Sequence, residues 1–217
     1  NNPLAIILLK VQFLKEKFQS KSLDLSTHLK DFESIEKTIE RIVKIIKGMK
    51  AYSRDAEGDP FQPCSLNAII QDTLCLCSER FKLNEVRIRF IETKDFRIEC
   101  RPAQISQIVM NLLVNSFDAV CSLPDKWIDV RTEAIGENIR ISVIDSGKGI
   151  PENIRWKIMH PFFTTKEVGA GTGLGLSISK GLAEMHGGQL INNPNSLHTT
   201  FSVTLPIYQK KIDNKAG

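Results

Sequence analysis

The hydrophobic period of this chain changes once along its length, and that change restricts its architecture more than any other feature. Phe32, Ile35, Ile39, Ile42, Ile46 and Met49 follow one another at steps of three and four, the seam of a heptad repeat. Glu33, Lys37, Glu40, Lys44 and Lys47 flank the seam, and Leu4, Leu8, Val11, Leu14 and Phe18 trace a similar stripe upstream. The polar stretch from Ser20 to His28 turns the chain between them. Two helices alone bury one seam poorly, so the expected arrangement is a helical hairpin that a second copy completes into a four-helix bundle. Packing of the hairpin on the rest of its own chain is the alternative. Arg54 to Pro63 carries Gly, Pro and charges, a linker composition.

Beyond the linker, helical and alternating segments mix. Ser65 to Lys82 reads as a helix with Ser65 or Asn67 as N-cap. Residues 86–90, 96–100, 139–143 and 201–205 alternate apolar and polar side chains, as strands of a sheet covered on one side do. Helices at 102–122 and 173–186 supply the cover. The expected fold class is α+β: a helical hairpin followed by a two-layer α/β sandwich. Its parts are a hairpin at 1–53, a linker at 54–63, a sandwich domain at 64–208 and a flexible tail at 209–217.

Composition narrows the functions open to such a chain. Of 217 residues, 41% are hydrophobic and 25% charged, which excludes disordered, collagen-like and disulfide-scaffold classes. The net charge of +4, from 29 basic and 25 acidic residues, is too balanced for a nucleic-acid protein. Apolar runs such as Leu4–Leu9 are far too short to span a bilayer. No signal peptide precedes them, and the start at Asn1-Asn2-Pro3 reads as cut from something longer. Cys64, Cys75, Cys77, Cys100 and Cys121 are odd in number and lack a C-x-x-C, as reduced cysteines of a cytoplasmic protein would be.

Four segments carry candidate chemistry. Asn111, Asn115 and Asp118, spaced four and three, share one face of the helix at 102–122. A carboxamide oxygen suits a hard cation such as Mg²⁺, which takes few protein ligands plus phosphate oxygens; amides satisfied by neighbouring backbone are the plainer reading. Asp145-Ser146-Gly147-Lys148-Gly149-Ile150 follows a strand directly and sets a carboxylate at the mouth of a bend. That carboxylate can accept a hydrogen bond from an exocyclic amine such as adenine's, or the segment is a plain turn. Gly169 to Leu176 places glycines on alternate residues before a helix, which lets backbone N–H groups approach an anion. It matches neither familiar phosphate-loop pattern, and a flexible glycine linker is the alternative. Between them, Pro161-Phe162-Phe163-Thr164-Thr165-Lys166 offers aromatics, hydroxyls and a cation, as a lid would, although Phe162 and Phe163 fit a core equally.

In order and spacing these segments resemble the N, G1, F and G2 boxes of the bacterial sensor histidine kinases of two-component systems, whose catalytic domain has the Bergerat ATP-binding fold. The lid looks most like that of the nitrogen-regulation type. The resemblance covers nearly the whole chain, and Asn1-Asn2-Pro3-Leu4 is similar to the end of the H box. It implies ATP and Mg²⁺ as cofactors, with Asn115 on the metal and Asn111 on the phosphate side. Asp145 would bind the adenine amine, Gly147, Gly149 and Ile150 would shape the pocket, and Asp118 would join the nucleotide contacts. Phe163, Thr164, Thr165 and Lys166 would belong to the lid, with Lys166 facing the γ-phosphate, and Gly171, Thr172, Gly173, Leu174 and Gly175 would wrap the phosphates.

The same resemblance implies a homodimer formed through the hairpin and a response-regulator receiver domain as partner. It implies a cytoplasmic enzyme, and leaves open whether the full-length parent is attached to the inner membrane. The phosphorylated His is expected just upstream of Asn1, and none of His28, His160, His186 or His198 replaces it. Asn2, which would fall four residues after that His, is a candidate for dephosphorylating the regulator. An ATPase of the same fold and a degenerate kinase scaffold are the other readings.

Overall fold

The computed structural model describes residues 3–19, 29–30, 32–36, 38–39, 60–92, 94–166 and 171–209. Pro3–Gln19 forms helix α1, which buries Leu14 and exposes Leu8, Leu9, Val11 and Phe13. The described residues between 29 and 39 are also helical, and Phe32 and Ile39 of the expected seam are exposed. The expected turn at 20–28, the rest of the seam (Ile42, Ile46, Met49) and the expected linker at 54–59 lie outside the described residues. Among the described residues no helix is long and apolar enough to cross a membrane.

From residue 60 the chain forms two sheets and a helical layer. Its elements are β1 (Gln62–Ser65), α2 (Leu66–Leu83), β2 (Arg87–Ile91), β3 (Arg97–Cys100), α3 (Pro102–Val120), β4 (Trp127–Ile135) and β5 (Asn138–Asp145). There follow α4 (Glu152–Arg155), α5 (Gly175–Met185), β6 (Gln189–Asn192) and β7 (Thr199–Pro206). The main sheet has the order β2-β4-β5-β7-β6. Its β2–β4 pair is parallel and the others antiparallel. Ile128, Val130, Ile139, Ile141, Val143, Val203 and Leu205 point one way and are buried against Ile105, Ile108, Leu112 and Leu113 of α3. The opposite face carries Arg89, Arg131, Arg140, Ser142 and Ser202. Asp129 there is 1% exposed and is held bidentate by Arg89 at 2.8 and 2.9 Å. One apolar and one polar face is what the alternating segments predict.

Three expectations need correction. The segment at 96–100 does not join the main sheet: it becomes β3, antiparallel to β1, with Gln62 opposite Cys100 and Ser65 opposite Arg97. The expected linker also ends early, because Gln62 and Pro63 already belong to β1. Proline lacks the N–H that a central strand must donate and is tolerated at an edge, so a two-stranded ribbon can hold Pro63. Gln209, expected to begin a free tail, is anchored. Its backbone N–H donates to Glu99 Oε2 at 2.9 Å, and its side-chain amide donates to the carbonyls of Glu99 and His186. His186 closes that junction, accepting the Arg101 backbone N–H at 3.2 Å, bonding Leu182 O through Nδ1 and meeting the Phe61 ring edge-on. Burial, and to a lesser degree Arg101, lowers its pKa, so it stays neutral.

Of the two N-cap candidates, Ser65 performs the role: its Oγ accepts the Ala68 N–H at 3.1 Å and donates to Asp95 at 2.9 Å. Ser65→Ala is expected to lower stability by about 1 kcal/mol, read as a shift in the urea midpoint at constant slope. All five cysteines are free. Burial, then neighbouring Cys64, pushes the Cys100 thiol up to about 12, well outside the range of reactive thiols.

Candidate functional site

The four segments singled out in the sequence converge on one cavity of about 700 Å³. Its floor is the end of β5. Asp145 is the last residue of that central strand, 1% exposed, opposite Thr199 of β7. The turn that follows folds back so that the Gly147 N–H donates to Asp145 Oδ1 at 2.9 Å. A Cβ on Gly147 would lie 2.7 Å from both Asp145 Oδ1 and Thr199 Oγ1, so only glycine fits. Gly149 needs glycine for another reason, its φ of +84°. Burial raises the Asp145 pKa above the usual carboxylate range, against the Gly147 amide, the Ser116 and Thr199 hydroxyls and His198, which all favour the ionised form.

The wall is the polar stripe of α3. Asn111, Asn115 and Asp118 all line the cavity, as their spacing predicts, but their tasks differ. Asn111 Nδ2 donates to Gly175 O and to Ser179 Oγ, both at 3.1 Å, tying α3 to the first turns of α5. The carboxamide of Asn115 is half-buried and has no hydrogen-bond partner among the described residues. A polar group left so at a cavity wall is ready for a ligand atom. Asp118 is engaged by two cations, Lys166 from the lid segment and Arg80 of α2 at 3.3 Å.

Lid and glycine segments interlock at the rim. Phe162 has φ +67° and donates its backbone N–H to Gly173 O at 2.9 Å. Gly173 itself has φ +68°, and a Cβ there would lie 2.7 Å from the carbonyl oxygens of Phe162 and Phe163. The two phenylalanines part company. Phe163 packs against the core and lines the cavity, while Phe162 is 59% exposed. Thr164 Oγ1 accepts the Lys166 N–H at 3.2 Å. A Cβ on Gly171 would sit 2.8 Å from that hydroxyl and 3.2 Å from Lys166 Cδ, so the lysine stem crosses the glycine segment.

Thr164, Thr165, Lys166, Gly171, Thr172, Gly173 and Gly175 line the cavity, as do Gly147, Gly149 and Ile150. Leu174 does not line it; it is 6% exposed and anchors the start of α5 instead. The N-terminus of that 11-residue helix opens on the cavity through Gly175 and Leu176, presenting unpaired amides and a positive dipole end. Residues 167–170 and Asn2 lie outside the described residues. Sequence reasoning missed Ser116 and Thr199 beside Asp145; the register that pairs residue 145 with 199 is a long-range fact. A second concavity, about 790 Å³ at the free edge of β2 and lined by Phe81, Ile88 and Trp127, contains none of the four segments.

Comparison with known proteins agrees with this geometry. Residues 100–209 match the family described as histidine kinase-, DNA gyrase B-, and HSP90-like ATPase. The chain is 33% identical over 148 residues to the sensor histidine kinase ZraS of Escherichia coli (strain K12), covering 67% of this chain and 31% of that protein. It is 30% identical over 213 residues to the signal transduction histidine-protein kinase AtoS of the same strain, covering 95% of this chain and 33% of that protein. It thus spans about a third of the length of these relatives. Among solved structures, a nucleotide-free catalytic domain of the histidine kinase ThkA superposes with TM-score 0.61 at 31% identity, over 69% of this chain and 97% of that one. ThkA in complex with the response regulator protein TrrA gives TM-score 0.72 at 28% identity, over 97% of this chain and 59% of that one.

Proposed function

The chain belongs to the histidine kinase-, DNA gyrase B- and HSP90-like ATPase family, on the branch of the bacterial sensor histidine kinases, and from that premise we propose that it is the ATP-dependent core of a kinase that phosphorylates a histidine of its own dimer for relay to an aspartate of a response regulator. The observation that carries this reading is the cavity that brings Asp145 at its floor together with Asn115, Lys166, Gly171, Thr172, Gly173 and Gly175 at its rim. ATP binding follows from the family; the assignment of residues and metal is ours. The Asp145 carboxylate takes the adenine amine, with Gly147 and Gly149 shaping the floor and Ile150 and Phe163 packing on the base.

The metal assigned is Mg²⁺. Among the described residues no cluster of three or more His, Cys, Asp or Glu could hold an ion. The unpartnered carboxamide oxygen of Asn115 is a hard, neutral ligand, and Mg²⁺ takes few protein ligands beside phosphate oxygens and water. When bound, it neutralises charge on the phosphates. The amides of Gly171–Gly175 and the first turn of α5 hold the phosphate oxygens, and Thr164 and Thr165 orient the lid segment. Lys166 neutralises the γ-phosphate as the P–O bond to the β-phosphate breaks and an N–P bond to the histidine forms, a step governed by positioning and charge.

The exposed Leu8, Leu9, Val11 and Phe13 of α1, with Phe32 and Ile39, support a homodimer through the hairpin. The ThkA–TrrA complex supports a receiver domain as partner. Asn2 is assigned to dephosphorylation of that partner on sequence grounds alone. The test is labelling with γ-³²P-ATP of a protein in which an H-box segment carrying a histidine is joined ahead of Asn1. Expected is an acid-labile, alkali-stable adduct that passes to a receiver domain. Release of inorganic phosphate with no adduct would point to an ATPase of the same fold, and neither product to a scaffold.

A further inference from the structure

We propose that Asp118 is a positioning residue for the lid cation: its carboxylate holds Lys166 in the unliganded chain and gives it up to phosphate, so that Asp118 sets ATP affinity through Lys166 without touching the nucleotide. This rests on reading the cavity as an ATP site. Each oxygen of the carboxylate is engaged, Oδ2 by Lys166 Nζ and Oδ1 by Arg80 at 3.3 Å. The Arg80 guanidinium also lies over the Phe117 ring, 4.2 Å from its centre. The acid is therefore tethered from the α2 side, and Lys166 is the partner that can leave.

Where Lys166 rests also matters. Its stem lies against Gly171, with Cδ 3.2 Å from where a Cβ would stand, beside the glycine segment assigned to the phosphates. The lysine thus rests beside the assigned phosphate seat, with Asp118 as its counter-ion. An arriving phosphate offers more negative charge and more acceptor atoms, and the ammonium exchanges one anion for the other. Side-chain exposures of 25% for Asp118 and 33% for Lys166 leave the pair partly screened. The carboxylate is thus a modest competitor, one that tunes affinity and does not block the site.

The test is a double-mutant cycle of calorimetric ATP titrations on the parent, Asp118→Asn, Lys166→Met and the double variant. Asp118→Asn is expected to bind ATP about three- to five-fold more tightly than the parent, the strength of a partly exposed ion pair. In the Lys166→Met background that gain should vanish. An equal gain in both backgrounds would make Asp118 a mere repeller of phosphate, and weaker binding would make it a nucleotide contact; either result overturns the proposal. A second measurement needs no nucleotide. Trypsin engages a free lysine ammonium, so it should cut after Lys166 faster in Asp118→Asn than in the parent, and equal rates overturn the proposal too. Absence of ATP binding in all four proteins would instead reject the nucleotide site itself, a pattern distinct from those above.

Discussion

Asp145→Asn should weaken ATP binding about 30- to 100-fold, or 2–3 kcal/mol, the range for losing a hydrogen bond to a buried charged group. The replacement is nearly isosteric, and the loss follows from turning one acceptor oxygen into a donor NH₂. The donors to the carboxylate include the Gly147 N–H at 2.9 Å and the adenine amine assigned to it. A carboxamide has one carbonyl oxygen, so its NH₂ must face one of those donors. Inorganic tripolyphosphate, which lacks the base, should bind parent and variant alike. Equal losses for both ligands in calorimetry would refute adenine recognition by Asp145.

The same substitution separates binding from stability. Burial raises the Asp145 pKa, so the folded chain holds the proton to a higher pH than the unfolded chain does. Between the ordinary and the raised value, stability falls as pH rises, and at neutral pH the ionised group is a net cost to folding. Asp145→Asn should therefore melt no lower than the parent while binding ATP poorly. ATP affinity should run the other way with pH: as the pH drops through the raised value the carboxyl protonates, one acceptor is lost and binding weakens.

Asn115→Ala should abolish the metal dependence of ATP binding. In the parent, Mg²⁺ is expected to tighten ATP by a factor of about ten or more, since a divalent ion on developing or fixed phosphate charge is worth several kcal/mol. In the variant, titrations with Mg²⁺ and with a chelator should superimpose. Asn111 supplies the contrast. Its amide is spent on Gly175 and Ser179, so Asn111→Ala should loosen α3 from α5 and lower stability while leaving some response to Mg²⁺. Unchanged metal dependence in Asn115→Ala would reassign the ligand.

How far the sequence discloses this molecule depends on the range of each interaction. Local signals were legible: the cap at Ser65, the helix of 102–120, the acid at the end of β5, and glycines where a Cβ has no room. The segment 127–135 does not read as a strand, because the series on its core side, Ile128, Val130, Thr132 and Ala134, ends in a hydroxyl and an exposed methyl. Residues 62–65 hid behind Pro63, and β6 is only 4 residues long. The site divides in the same way. Helical spacing puts Asn111, Asn115 and Asp118 on one face, yet nothing within α3 tells which amide is spent on α5. Nor does it tell that Asp118 meets a lysine 48 positions away. The outward Phe162 was equally hidden, because its left-handed backbone exists only through a hydrogen bond to Gly173.

The ribbon of β1 and β3 bears on what happens when the segment preceding residue 60 is tugged. Traction along that segment runs first into Phe61, wedged against His186 and beneath the Arg101 guanidinium at 4.6 Å. It then meets the antiparallel rungs between β1 and β3, which resist it in shear. Gln209 and Ile207 grip Glu99 of the same ribbon, so both outgoing chain directions share one anchorage. Asp145 stands at the end of a strand in a separate sheet. Load entering at residue 60 is therefore met first by the ribbon and its two clasps, before it reaches the sheet that ends at Asp145.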